Sequence, residues 1–356
     1  MIRGIAAWWV VLYHFRDAMP GSPDGAAGRL AAHGYLAVDL FFILSGFVIA
    51  LNYTAMLAVL TPGAYRRFLG LRLARIYPLH LLMLLLFLLD PLAIALFAHR
   101  PIASAQYSPL YYALSLVLLQ NWGFVGGPIW NVPAWSISTE WAAYLLFPLL
   151  ARFVSPRLGS PARALAWVGG ALLLLGVVAS RSVPTLGGDI AQFGLFRCLA
   201  EFAAGAGLFW LWRQRTAAAG WDAAAALACA GVLGAAYCAV PMPDYVPVPA
   251  AFALLIFGLA RAPGGVARLP GARLLEAIGT VSYSTYMVHY FVRAWVRFLL
   301  LGHDGRAHPV DLAVYLLLTA AGSVVLYRLV EVPGRRALRA LLDRAQRRQV
   351  TTELTA

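Results

Sequence analysis

An arginine and a histidine stand inside the apolar run MIRGIAAWWVVLYHF, where ionisable groups are expensive unless they face a protein interior or a wet cavity. Eleven positions at about 100° each return His14 to within about 20° of Arg3, so both project from one helix face, about 16 Å apart along the axis. Later apolar runs carry more such groups: Asp39 in GYLAVDLFFILSGFVIA, Glu140 in VPAWSISTEWAAY, the i,i+4 pair Arg197 and Glu201 in FRCLAEF, and His289 in YSTYMVHY. This set suits general acid–base chemistry on a hydroxyl. A neutral imidazole takes the hydroxyl proton as oxygen attacks an acyl carbonyl, a carboxylate orients the imidazole, and a guanidinium or backbone N–H faces the oxyanion. His14, Glu140 and Arg3 are the candidate catalytic residues. Asp39, Arg197, Glu201, His289, Trp135 and Tyr283 are expected to line the chamber around them.

The elements that position these groups are membrane helices. Of 356 residues 62% are hydrophobic and 12% charged, with a mean hydropathy of +0.74, too apolar for a soluble domain and expected of an all-α, polytopic transmembrane bundle. The 28 basic residues are all arginine, against 15 acids. They fall between apolar spans and near the C-terminus, where orientation by the positive-inside effect accounts for them, and nucleic acid is not the expected partner. Three cysteines, Cys198, Cys229 and Cys238, sit in apolar surroundings without metal-ligand or disulfide spacing. The first segment ends in YHFRD and is expected to be a retained helix rather than a cleaved signal.

Apolar segments fall at about 2–15, 34–52, 76–98, 107–121, 132–154, 164–180, 190–212, 223–240, 245–260, 275–301 and 309–331. A loop at 53–75 with Arg66, Arg67, Arg72 and Arg75 and no acid is expected to be cytoplasmic, as is the arginine-rich end after 331. Both ends inside require an even number of crossings. The short 107–121 stretch, bounded by Pro109 and NWGFVGGPIWN, is the segment expected not to cross, leaving ten crossings with both termini cytoplasmic. The membrane domain then covers 1–334, and 335–356 forms a basic cytoplasmic tail. In this arrangement Glu140 arrives about 12 Å below the outer surface, near the level of His14, and the two are expected to pair.

Arg66, Arg67, Arg72 and Arg75 have two readings of equal weight: topology signals, or a set that receives the phosphates of an acyl-CoA donor. Several other residues also carry a structural alternative. Arg197 and Glu201 could be a helix-internal ion pair, Ser45-Gly46 a small-residue packing point rather than an oxyanion donor, and Glu331 with Pro333 simply the end of the last helix. The rival class is a proton-coupled transporter or a glycan exporter using the same polar chamber. No pair of related halves is visible, and the arginines cluster at one place rather than along a pathway.

Seven segments in order resemble the acyltransferase 3 family: RGIAAWWVVLYH, GYLAVDLFFILSGFVIA, RLARIYP, WSISTEWAAYLLFP, FRCLAEFAAGAGLFW, SYSTYMVHY and the closing Glu-x-Pro at Glu331 and Pro333. The resemblance implies about ten membrane helices, a bacterial inner-membrane location, and transfer of an acyl group, acetyl by default, from cytoplasmic acyl-CoA to a hydroxyl of a glycan or glycolipid. No permanently bound cofactor is implied. The family's basic residue and histidine fall on Arg3 and His14, which implies a catalytic role for His14 with Arg3 as its companion, and its Arg-x-x-Arg pair falls on Arg72 and Arg75. Two departures stand out. The family usually has a few residues before the arginine, where this chain starts at Met1, and a proline often follows the late histidine by two positions, where this chain has Phe291.

Overall fold

The computed structural model describes residues 1–19, 23–98, 106–214, 219–262, 271–300 and 307–355. The described residues form helices and no strands. In chain order the helices are α1 (Ile2–Phe15), α2 (Ala26–Ala32), α3 (Ala37–Tyr53), α4 (Pro62–Phe87), α5 (Leu89–Ala93), α6 (Pro109–Leu116), α7 (Trp135–Leu149), α8 (Pro161–Ser182), α9 (Ile190–Gln214), α10 (Ala219–Ala239), α11 (Val248–Arg261), α12 (Ala272–Thr280), α13 (Ser282–Leu300), α14 (Pro309–Leu326) and α15 (Val332–Thr355). Seven stretches are long and apolar enough to cross a membrane: Ala26–Tyr53, Pro62–Phe97, Val132–Leu158, Pro161–Ser182, Ile190–Gln214, Trp221–Ala239 and Pro309–Gln346.

The centre of the bundle is the crossing of α3 and α9. A Cβ added to Gly46 would strike the Phe202 carbonyl, and one added to Gly205 would strike that of Ile43. The two backbones therefore touch where only glycine fits, which is how helices gain packing contact in lipid without a hydrophobic driving force. Gly46 is a packing residue. Its neighbour Ser45 is left free to face elsewhere.

Helix α4 alters the expected layout. Thr61 caps it, its hydroxyl accepting from Ala64 N at 3.1 Å, and Pro62 occupies the first turn, so the helix starts well before Ile76. Arg66, Arg67, Arg72 and Arg75 therefore lie on a helix and not in a loop. The segment expected at 275–301 is also two elements, with the chain turning at Val281 between α12 and α13. Beyond it α13 runs unbroken through Phe291, where a proline would clash with the preceding turn.

Glu331-x-Pro333 does not end the last helix. A π turn over Tyr327–Glu331 leads directly into α15, since proline is tolerated in the first turn of a new helical stretch. Helix α15 lies along α4, with Gly334 against Pro78, Gly70 against Leu342, and Arg67 ion-paired to Asp343 at 3.0 Å.

Helix α6 has eight residues, about 12 Å, too short to span. It is held against α4 by Tyr77 Oη donating to Leu116 O at 2.9 Å, His80 Nε2 bonded to Ser115 O at 2.8 Å, and Tyr112 Oη donating to Leu84 O at 3.2 Å. The following stretch turns back into the bundle, with Leu118 and Trp130 at positive φ and Gln120, Asn121 and Asn131 buried. Their amides donate to Ala134, Ile190 and Met287 carbonyls respectively, which ties this irregular stretch to the bundle and buries it in protein rather than lipid.

Candidate active site

His14 occupies the last turn of α1, and the helix fixes its ring. Nδ1 lies 3.1 Å from Val10 O, one turn back. A carbonyl only accepts, so in the neutral ring Nδ1 carries the proton and Nε2 keeps the lone pair. His289 repeats the arrangement on α13, its Nδ1 3.2 Å from Thr285 O, which leaves its Nε2 as an acceptor. That acceptor lies 3.4 Å from His14 Nδ1. Tyr290 closes the other side with an edge-on ring 5.3 Å from His14. The partner of His14 is thus a second histidine.

Beside this pair lies a chamber of about 250 Å³ lined by His14, Trp135, Arg197, Tyr286, Tyr290 and Arg293, among others. Arg197 is fully buried. Its Nε donates to Asp39 Oδ1 at 2.6 Å, Nη1 to Leu186 O at 2.7 Å and Nη2 to Tyr35 O at 3.3 Å, while the guanidinium lies over the Trp135 ring. A buried guanidinium needs this degree of saturation, because desolvation is repaid only when its donors are used. The alternative of a helix-internal Arg197–Glu201 ion pair does not hold, because Arg197 pairs with Asp39 across helices. Glu201, one turn further along α9, is wholly buried and makes no ion pair among the described residues.

A second cavity, about 50 Å³, lies nearer the start of α1 and is lined by Arg3, Ser45, Ser136, Glu140, Tyr283 and Tyr286, with others. Ser45 Oγ donates to Glu140 Oε1, so the hydroxyl that α3 leaves free is oriented by a carboxylate from α7. Glu140 and His14 thus line different cavities, and the expected pair does not form. Arg3 lines the cavity of Glu140 rather than that of His14, as the long rise between them along α1 requires. Tyr286 borders both spaces. Its hydroxyl bonds Ser136 Oγ at 2.8 Å and Pro133 O at 3.1 Å.

The four arginines of α4 divide by face. Arg66 is exposed and donates to Pro62 O, and Arg67 is committed to Asp343 and Gln346 on α15. Arg72 and Arg75 face the bundle instead. Arg72 donates to Tyr53 Oη and lies over that ring and the Tyr144 ring. Arg75 pairs with Glu331 and lies over Tyr283, whose hydroxyl donates to Ile76 O at 2.6 Å. Glu331 is wholly buried and accepts a further bond from Ser284 Oγ at 2.7 Å.

The profile of the acyltransferase 3 family, described as an acyltransferase domain, matches residues 1–328. The chain belongs to the acyltransferase 3 family. It is similar to acyltransferase MdmB of Streptomyces mycarofaciens, 30% identical over 355 residues, covering 91% of this chain and 86% of the relative. It is also similar to protein 2 in the picA locus of Rhizobium radiobacter, 46% identical over 87 residues, 24% of this chain and 40% of that protein. No solved structure matches.

This acyltransferase 3 chain is therefore a multi-pass membrane acyltransferase whose polar residues collect in two adjoining spaces. Of the residues expected around one chamber, His14, Arg197 and Trp135 line the larger space, with His289 against His14 and Asp39 against Arg197, while Arg3, Glu140 and Tyr283 line the smaller one. Sequence reasoning missed Tyr286, the wall between the spaces, because an aromatic residue inside an apolar helix carries no pattern that separates a wall from a core residue. It also missed Glu331 as the partner of Arg75. The residues are 256 positions apart, and only the contact of α4 with the end of α14 joins them.

Proposed function

We propose that this chain is an integral-membrane O-acyltransferase that moves an acyl group, acetyl by default, from cytoplasmic acyl-CoA to a hydroxyl of a glycan or glycolipid on the outer side. Ten crossings with both termini cytoplasmic give the matching orientation. Helices α1, α11 and α13 join the seven long apolar stretches, and α6 stays within one side. The observation that carries the reading is the His14 ring, whose Nδ1 is held by the Val10 carbonyl so that Nε2 is the basic nitrogen at the edge of a polar chamber.

In this mechanism His14 Nε2 takes the acceptor hydroxyl proton as oxygen attacks the thioester carbonyl. The C–S bond then breaks, and the leaving CoA thiolate takes that proton from the imidazolium. While charged, the ring donates more strongly through Nδ1, shared between Val10 O and His289 Nε2. Arg72 and Arg75 meet the donor's phosphates from the cytoplasmic end, Arg3, Ser45 and Glu140 border the passage of the pantetheine arm, and the acceptor occupies the outer chamber. Acceptor-dependent release of CoA from acetyl-CoA by the purified protein, with acetyl recovered on the glycan, is the test. Wild-type protein that consumes no acetyl-CoA in the presence of outer-membrane or capsular glycans would exclude the reading.

A further inference from the structure

Helix α13 carries more charge toward its C-terminal end than the transfer reaction uses. His289, Arg293 and Arg297 repeat every four residues, so they share one face of the helix and rise by about 6 Å per step away from the histidine pair. Arg293 lines the His14 chamber and also a second space of about 400 Å³, bordered by Asp90, Tyr107, Arg293, Trp295 and Arg297. That volume lies in the range of small-molecule sites, about 300–1,000 Å³.

The acids nearby do not match these cations. Neither Arg293 nor Arg297 forms an ion pair among the described residues, whereas Arg16 already pairs with Asp17 at 3.6 Å. Arg293 Nε and Arg297 Nη1 are buried without a protein acceptor. The Arg293 guanidinium lies over the Tyr290 ring, the same ring that packs on His14. Two guanidinium groups one turn apart repel each other, and each is costly in a membrane helix, by about 2.5–3.5 kcal/mol on insertion scales. Asp90 on the facing wall and Asp17, which is shared with Arg16, supply two negative charges against the three positive ones of Arg16, Arg293 and Arg297. An oxyanion would satisfy both orphaned donors, because the guanidinium fork matches phosphate and carboxylate.

We propose that Arg293 and Arg297 form an anion subsite that holds a phosphate or carboxylate group of the acceptor, one to two helical turns from the hydroxyl delivered to His14. This rests on the acyltransferase reading and narrows its acceptor to acidic glycans or glycan phosphates. Arg293 orients the group from within the chamber, and Arg297 admits it from the side space.

The test uses full-length protein in phosphatidylcholine nanodiscs, with glucose 1-phosphate, glucuronate and glucose as probes of binding. Glucose 1-phosphate and glucuronate should bind at least tenfold more tightly than glucose. Arg297→Gln should reduce that preference and Arg293→Gln with Arg297→Gln should abolish it, with acetyl-CoA binding unchanged in both. Equal binding of the three probes, or a preference that survives both substitutions, overturns the subsite. Repeating the measurement in phosphatidylglycerol nanodiscs separates the two sources of phosphate. Loss of sugar-phosphate binding there would make the site a lipid-headgroup site and overturn the acceptor assignment. Equal binding of the three probes by wild-type protein that still turns over acetyl-CoA refutes this inference alone, whereas absence of turnover on every acceptor refutes the functional reading.

Discussion

His289 Nε2 lies 3.4 Å from His14 Nδ1, and each ring's own Nδ1 faces the carbonyl one turn back on its helix. Two backbone carbonyls thus set both tautomers without a carboxylate. The familiar triad places an acid behind the catalytic imidazole. Here a second neutral imidazole stands in that position, joining α1 to α13 beside the chamber.

His14→Ala should reduce kcat for acyl transfer by about 10²–10⁴-fold, the usual range for losing a general base, with acetyl-CoA binding retained. His289→Ala should cost less, about tenfold, because it removes only an acceptor for the charged ring. His289→Gln, whose amide oxygen can accept from Nδ1, should recover part of the loss. Steady-state kinetics on the three variants check this. Equal losses for His289→Ala and His289→Gln would leave His289 with a packing role.

Arg75 and Glu331 call for a paired experiment. Arg75→Gln alone leaves the Glu331 carboxylate buried without its cation, which typically costs about 3–5 kcal/mol, so poor expression of that variant says nothing about the donor. Arg75→Gln with Glu331→Gln should restore the thermal midpoint while the KM for acyl-CoA stays raised by about tenfold or more. A double variant with normal midpoint and normal KM would confine Arg75 to holding α4 against the end of α14.

Much of the architecture was legible because the groups involved are costly in lipid and therefore conspicuous. Each apolar segment expected from 2–15 to 309–331 contains a helix, the one at 275–301 two, and the short one at Pro109–Leu116 is too short to cross. Boundaries failed where polar sequence continues a helix. The arginines of α4 looked like a loop because a run with four guanidiniums lacks apolar periodicity, yet Thr61 and Pro62 form a sound N-terminus that was readable. Neither the pairing nor the common depth of Glu140 and His14 was legible. Helical rise counted from the expected segment ends gives His14 and Glu140 similar levels, but Trp135 at the start of α7 is the residue beside the His14 chamber, and Glu140 lies further along α7 with Ser45 and Arg3.

Glu140→Gln keeps an oxygen for the Ser45 hydroxyl and removes the charge. Because Glu140 lines the space with Arg3 and not that of His14, its effect should fall on the KM for acyl-CoA, with kcat changed less than about tenfold. Ser45→Ala should act in the same direction. A fall in kcat comparable to that of His14→Ala, about 10²-fold or more, would mean that Glu140 reaches the reacting groups in the working state.

Tyr286 offers the sharpest test of the two-chamber arrangement. Its ring borders both the 50 Å³ space of Glu140 and the 250 Å³ space of His14, so an acyl group passing from one to the other must go through or past it. The hydroxyl bonds to Ser136 and Pro133 at the start of α7 pin the ring. Tyr286→Phe loses those bonds, at about 1 kcal/mol, but keeps the wall, and acyl-chain preference should be unchanged. Tyr286→Ala joins the two spaces and gives water a path to the thioester. Longer acyl-CoA donors should then be accepted, and CoA release without any acceptor should rise. Both are measured by following free thiol across a series of acyl-CoA chain lengths with and without glycan. An Ala variant that folds, retains the wild-type chain-length profile and releases no CoA without acceptor would show that the donor reaches His14 by another route.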